Sequence, residues 1–272
     1  MKPNPRSLIL NLLLAAEGEP LSARDAIASC ALFGIRENSV RVTLVRLAAA
    51  GLIEAAGRGA YRLGPNATEL AADVATWRTA EDRLREWSGG WVVVHVGSLG
   101  RSDRVALRAR DRALALLGLR ELERGLFLRP DNLQGGVAAV RERLHKLGQG
   151  SEAAVFVAHD LDAAREQRAR ALWDGDTLSR AYRDMRARLE DWLARADELE
   201  PDVAARESFL LGNEAIRQLV FDPLLPAPLV DTAARHAFTD AVQRFDKAGH
   251  VIWQRLHLMP AEARASGEAV AH

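Results

Sequence analysis

The most specific chemistry in this chain lies between Arg36 and Arg62. A helix is expected over about Asn38 to Ala50. One side of it would carry Val40, Leu44 and Leu47, which fall within about 60° of one another on a helical wheel and would face a core. The other side presents Asn38, Ser39, Val42, Thr43 and Arg46, with Arg41 at the flank. Arginine can bond guanine bidentately and asparagine can bond adenine. Threonine and valine methyls can meet the thymine methyl. The mixture suits the reading of base edges in a major groove. Gly51 stops the helix, and Leu52 to Ala56 and Ala60 to Leu63 read as short strands around Gly57-Arg58-Gly59. An arginine at such a hairpin tip can reach a phosphate or the minor groove. The candidate nucleic-acid contacts are therefore Arg36, Asn38, Ser39, Arg41, Thr43, Arg46, Arg58 and Arg62.

Other chemistries lack their residues. The histidines at 95, 145, 159, 236, 250, 257 and 272 show no metal-ligand spacing, and neither a nucleophile elbow nor a P-loop occurs. Cys30 is the single cysteine, which excludes an intramolecular disulfide and a cysteine-cluster metal site. A nuclease-like centre would need a carboxylate after the strand that begins at Trp91, where Gly97-Ser98 stands; Asp160 and Asp162 are poor substitutes. The expectation is no enzyme, no metal and no cofactor. The competing reading is a metal-dependent nuclease or an acyl-CoA-acting enzyme fused to the N-terminal module.

Two helices must support the reading helix. Ser7 is expected to cap the first, whose apolar stripe is Leu8, Ile9, Leu12 and Leu13, and Gly18 and Pro20 end it. Ser22 is expected to cap the second, running to about Ala31, with Asp25 in its first turn. Leu32-Phe33-Gly34-Ile35 makes the corner, where Gly34 can take the left-handed conformation. Helix, glycine turn, arginine-bearing helix and basic hairpin together predict a winged helix-turn-helix. Charge agrees locally: residues 1–66 hold eight basic and five acidic side chains, although Lys+Arg and Asp+Glu are 37 each overall. The short apolar run Leu8 to Ala16 is broken by Asn11 and followed by Glu17 and Glu19, unlike a signal peptide, and no stretch approaches a membrane span. A cytoplasmic location is expected.

Beyond the hairpin, Thr68 to Trp87 has a helical pattern and Ser88-Gly89-Gly90 punctuates the chain. A strand from Trp91 to Val96, a helix from Arg101 to Leu117, a strand from Gly125 to Arg129, a helix from Gly136 to Leu147 and a strand from Ala153 to His159 follow. Such an order suits a ferredoxin-like sandwich. Thr177 to about Leu199, Ala204 to Phe221 and Val230 to Phe245 read as helices, and the residues from Ala261 read as a disordered tail. The fold class expected is α+β. Its division is a winged helix-turn-helix over 1–66, a connecting helix and linker over 67–90, a ferredoxin-like domain over 91–175, a helical domain over 176–260 and the tail over 261–272.

Several of these segments resemble the PaaX family of bacterial repressors of phenylacetate degradation. The likeness begins at Arg6-Ser7-Leu8-Ile9-Leu10 and continues through Phe33-Gly34-Ile35-Arg36-Glu37-Asn38-Ser39-Val40-Arg41. It takes in Gly51-Leu52-Ile53-Glu54 and Tyr61-Arg62-Leu63, then Gly125-Leu126-Phe127-Leu128-Arg129-Pro130 and Asp222-Pro223-Leu224-Leu225-Pro226. The chain departs from the family at Phe127, where tryptophan is commoner, and after Pro226, where Ala227-Pro228-Leu229-Val230-Asp231 replaces a Trp-Pro-Gly-like element. The resemblance implies a homodimer that binds operator DNA and is released by an aryl-acetyl-CoA or a related acyl-CoA. Phosphates on such an effector would call for arginines, and Arg168, Arg180, Arg183 and Arg217 are the candidates. The six tryptophans could hold an aromatic acyl group or simply fill the core.

Overall fold

A computed structural model describes residues 3–16, 18–67, 76–96, 104–148 and 153–258. They form an α+β protein with two small antiparallel sheets. The chain divides into two compact units, one made of Met1–Thr76, Glu190–Glu214 and Gln243–His272, the other of Trp77–Leu189 and Ala215–Val242. The expected tail from Ala261 lies outside the described residues.

In the first unit, α1 (Pro5–Ala15) begins three residues before the start that a Ser7 cap implies. Asn4, not Ser7, is the cap: its side chain accepts from the Ser7 N–H at 2.8 Å. Pro5 can occupy the first turn because its missing N–H would have no helical partner there. A two-residue strand β1 (Leu21–Ser22) precedes α2 (Ala23–Ala31), and the Ser22 hydroxyl accepts from the Asp25 N–H at 3.0 Å, the expected cap. Gly34 turns the corner at φ +71°, and α3 (Glu37–Ala49) follows. Strands β2 (Ile53–Ala55) and β3 (Ala60–Leu63) pair with Ile53 opposite Leu63, and β1 adds to β3, giving the order β1-β3-β2. Leu8, Ile9, Leu13, Cys30, Val40, Leu44, Leu47 and Ile53 form the core beneath them. Phe209 and Trp253, from far along the chain, pack on this core.

The second unit holds β4 (Trp91–His95), α4 (Arg104–Leu116), β5 (Arg120–Glu123), β6 (Leu126–Pro130), α5 (Gly136–Lys146) and β7 (Ala154–Ala158). Its sheet order is β5-β6-β4-β7, antiparallel throughout. Val92 and Val94 of β4 pack on Leu114, Val140 and Leu144, so α4 and α5 cover one face. The strand β5 was absent from the expectation. Its four residues Arg-Glu-Leu-Glu carry no apolar alternation, and an edge strand pairs on one side only.

Helical periodicity also misleads before Trp91. Thr76–Thr79 and Glu81–Arg83 are single 3₁₀ turns and Leu84 to Gly90 is not helical, while 68–75 lies outside the described residues. The Arg85 N–H bonds the Asn132 carbonyl at 2.9 Å and the Gln134 N–H bonds the Arg83 carbonyl at 2.8 Å. Those long-range bonds take the backbone groups a helix would have used.

Helices α6 (Ala163–Arg170), α7 (Gly175–Arg195), α8 (Pro201–Val220) and α9 (Thr232–Leu258) complete the described chain. Helix α8 opens at Pro201, three residues before the expected start at Ala204, and α9 runs well past the expected end at Phe245.

Two sequence elements meet inside the second unit. Arg129 of β6 is buried and donates to the Leu117 carbonyl at 2.5 Å, the Pro223 carbonyl at 3.2 Å and Asn132 Oδ1 at 3.1 Å. Asn132 in turn donates to the Leu224 carbonyl at 2.7 Å. Burial pushes the Arg129 guanidinium down to about 10, so it stays charged at neutral pH, its charge spread over fixed carbonyl dipoles. Asp222 accepts from the Leu224 N–H at 2.7 Å, and burial raises its carboxyl above the ordinary range.

Candidate nucleic-acid interface

Helix α3 turns Val40, Leu44 and Leu47 into the core, and this fixes which residues remain outside. Arg36, Asn38, Ser39, Arg41, Val42 and Arg46 are exposed, and Thr43 is half-buried. The Thr43 hydroxyl donates to the Ser39 carbonyl at 2.7 Å, so its proton is committed to the helix. Asn66 closes the other end of α3, its side chain donating to the Ala50 carbonyl at 2.9 Å.

The arginines differ in what already holds them. Arg41 is paired with Glu37 at 2.7 Å and Arg62 with Glu54 at 2.7 Å, both on the surface. Arg36, Arg46 and Arg58 have no carboxylate partner among the described residues. They are the guanidinium groups left available to an external acceptor.

The hairpin is anchored at its tip. Gly57 at φ +131° and Gly59 at φ +71° turn the chain around Arg58, and the Ala23 N–H at the start of α2 donates to the Gly59 carbonyl at 2.8 Å. Together with the β1–β3 pairing this ties the hairpin to the helix that precedes α3. The corner between α2 and α3 is held from the other side. The Phe33 ring meets Phe209 edge-on at 5.3 Å, Phe209 meets Trp253 at 6.2 Å, and Asn11 donates to Asn213 at 2.9 Å. Cys30 lies beneath this corner, where burial pushes its thiol up to about 12.

Sequence reasoning passed over Val45. It is 68% exposed, beside Val42 at 42%. Its place on the wheel, opposite Val40, Leu44 and Leu47, was the available signal. Two uncovered valines on one helix face are methyl groups awaiting an apolar contact.

The effector candidates are dispersed over α6, α7 and α8. Arg168 bonds Glu123 at 2.9 Å, beside Arg165 at 3.1 Å, and these two arginines hold the Glu123 carboxyl below its ordinary range. Arg180 donates to the Thr177 hydroxyl at 2.7 Å, Arg183 pairs with Asp231 at 2.9 Å, and Arg217 lies over the Phe221 ring at 5.8 Å. The described contacts do not gather the four into one cluster. Trp91 and Trp173 are buried and stacked at 6.2 Å, and Trp87 meets Trp91 at 5.2 Å, so these three rings pack on one another. Among the described residues no group of three His, Cys, Asp or Glu is placed to hold a metal ion, and no helix is long and apolar enough to cross a membrane.

The first 67 residues and the C-terminal helices decide the ancestry. Residues 4–67 match the model of the PaaX-like protein family, and residues 173–255 match that of the PaaX-like protein C-terminal domain. The chain belongs to the PaaX-like family. Members of the PaaX-like family are generally transcriptional regulators. Among solved structures, an uncharacterised protein of Mycobacterium tuberculosis, Rv0674, is similar. It is 26% identical, the match covers 92% of this chain and 98% of that one, and the TM-score is 0.61. No curated protein matches the chain.

Proposed function

We propose that this PaaX-like chain is a ligand-responsive DNA-binding regulator. In this reading residues 1–66 act as a winged helix-turn-helix, with α3 entering a major groove and Arg58 at the tip of the wing. The observation that carries it is the exposed face of α3, where Asn38, Ser39, Val42, Val45 and Arg46 lie together and Arg46 has no carboxylate partner among the described residues. Arg36 and Arg58 would hold phosphates, and Arg41 and Arg62 would act only after giving up their pairs with Glu37 and Glu54. The order β5-β6-β4-β7 with two helices on one face supports a ferredoxin-like reading of the middle region.

The finer role is a repressor released by an aryl-acetyl-CoA or related acyl-CoA, acting in the cytoplasm as a homodimer. A dimer supplies the second reading helix that operator specificity demands, and effector and DNA need only prefer different states, with a coupling of about 1–3 kcal/mol. Arg168, Arg180, Arg183 and Arg217 would exchange their present partners for effector phosphates.

A gel shift with the DNA upstream of the chain's own gene tests the first claim, and a panel of acyl-CoA thioesters added to the complex tests the second. Binding that is released by a thioester and not by its free acid is the expected result. Stable binding that no thioester loosens removes the effector and leaves the DNA-binding claim standing. Light scattering that finds only a 29.8 kDa monomer, with and without DNA, removes the dimer.

A further inference from the structure

The second unit carries a basic surface that no part of the reading above uses. Helix α4 turns Arg110, Ala113 and Leu114 inward. On the opposite side stand Arg104, Arg108 and Arg112, all exposed. Their spacing of four places them within about 80° of arc, one per turn, with their heads about 6 Å apart along the axis. The arc is centred on the side farthest from the buried residues.

No ion pair neutralises the three arginines among the described residues, although the exposed Asp111 stands about 20° from Arg104 on the same face. Asp111 is the one acidic residue of the helix, and none of the three arginines is paired with it or with any other carboxylate among the described residues. On the neighbouring α5, Glu142 is occupied by Lys146 at 2.7 Å, with its carboxyl held below the ordinary range by that lysine. A helix face that merely needs solvation usually intersperses both signs. Here Val105 lies beside the arginines, 75% exposed.

We infer that the outward face of α4, through Arg104, Arg108 and Arg112, is a second nucleic-acid contact that grips the phosphate backbone of duplex DNA without regard to sequence. Charge complementarity selects the partner. A duplex strand presents a phosphate about every 3.4 Å of axis, so three guanidinium groups spread over about 12 Å face a continuous line of acceptors. The face offers no asparagine or glutamine to read bases, which makes it a gripping surface and not a reading one. The inference rests on the DNA-binding reading of the first unit.

The test uses the full chain and two probes, a mixed-sequence 40-base-pair duplex and the DNA upstream of the chain's gene. Binding is titrated by anisotropy between 50 and 200 mM salt. Replacing all three arginines by glutamine should flatten the slope of log affinity against log salt by about 2–3 on both probes, since each phosphate contact contributes about 0.9. Replacing all three by lysine should keep the slope. Arg46→Ala should keep the slope on the mixed duplex while lowering the preference for the upstream DNA. A glutamine variant that melts like the parent and keeps the parental slope overturns the second contact alone. A parent chain that binds neither duplex overturns the DNA-binding reading and this inference with it.

Discussion

Arg46 and Arg129 are the same residue type in opposite circumstances. Arg46 stands exposed on α3 with no carboxylate partner among the described residues; Arg129 is enclosed in the second unit and bonded to the Leu117 and Pro223 carbonyls and to Asn132. The same guanidinium is left open at the surface in one case and held by the fold in the other. Burial, not residue type, separates the two.

Arg129→Ala should break that contrast most severely. It strands several buried acceptors at once, and a loss of about 3–5 kcal/mol in urea unfolding is expected. Arg46→Ala should leave unfolding within about 0.5 kcal/mol and instead reduce discrimination between operator and mixed-sequence DNA by about 1–3 kcal/mol, read by competition binding. If Arg129→Ala spared stability, or Arg46→Ala lowered it as much, the division of roles would be wrong. Smaller still is Arg58→Ala, which should weaken all duplexes alike and flatten the salt slope by about 0.9. Smallest is Arg41→Ala, because Arg41 must first leave Glu37; a change below about 0.5 kcal/mol in DNA affinity is expected. Glu37→Gln, which frees Arg41, should raise affinity slightly and sharpen the distinction between paired and unpaired arginines.

The first unit was legible where side-chain period and turn chemistry agree. Val40, Leu44 and Leu47 defined the inner face of α3, Gly34 and Gly51 its limits, and Ser22 its predecessor's cap. What escaped depended on distant partners. The periodicity of residues before Trp87 suggested a helix, but backbone bonds to Asn132 and Gln134, some fifty residues on, took precedence there. The edge strand β5 left no hydrophobic trace. The pairing of Arg41 and Arg62 with their own neighbours was visible in spacing only for Arg41, four residues after Glu37. For Arg62 it required the hairpin register that sets Glu54 opposite.

The first unit draws its residues from both ends of the chain, and this gives its assembly a timetable. Phe33 emerges from the ribosome long before Phe209, and Trp253 follows later still. At about 5–20 residues per second, the stretch between the first and last segments of this unit takes roughly 8–33 s to synthesise. Over that interval the hairpin and its three helices lack their full aromatic cover, since Phe209 comes only part-way through it and Trp253 after it. The hairpin and its helices are therefore synthesised before the segments that complete their cover.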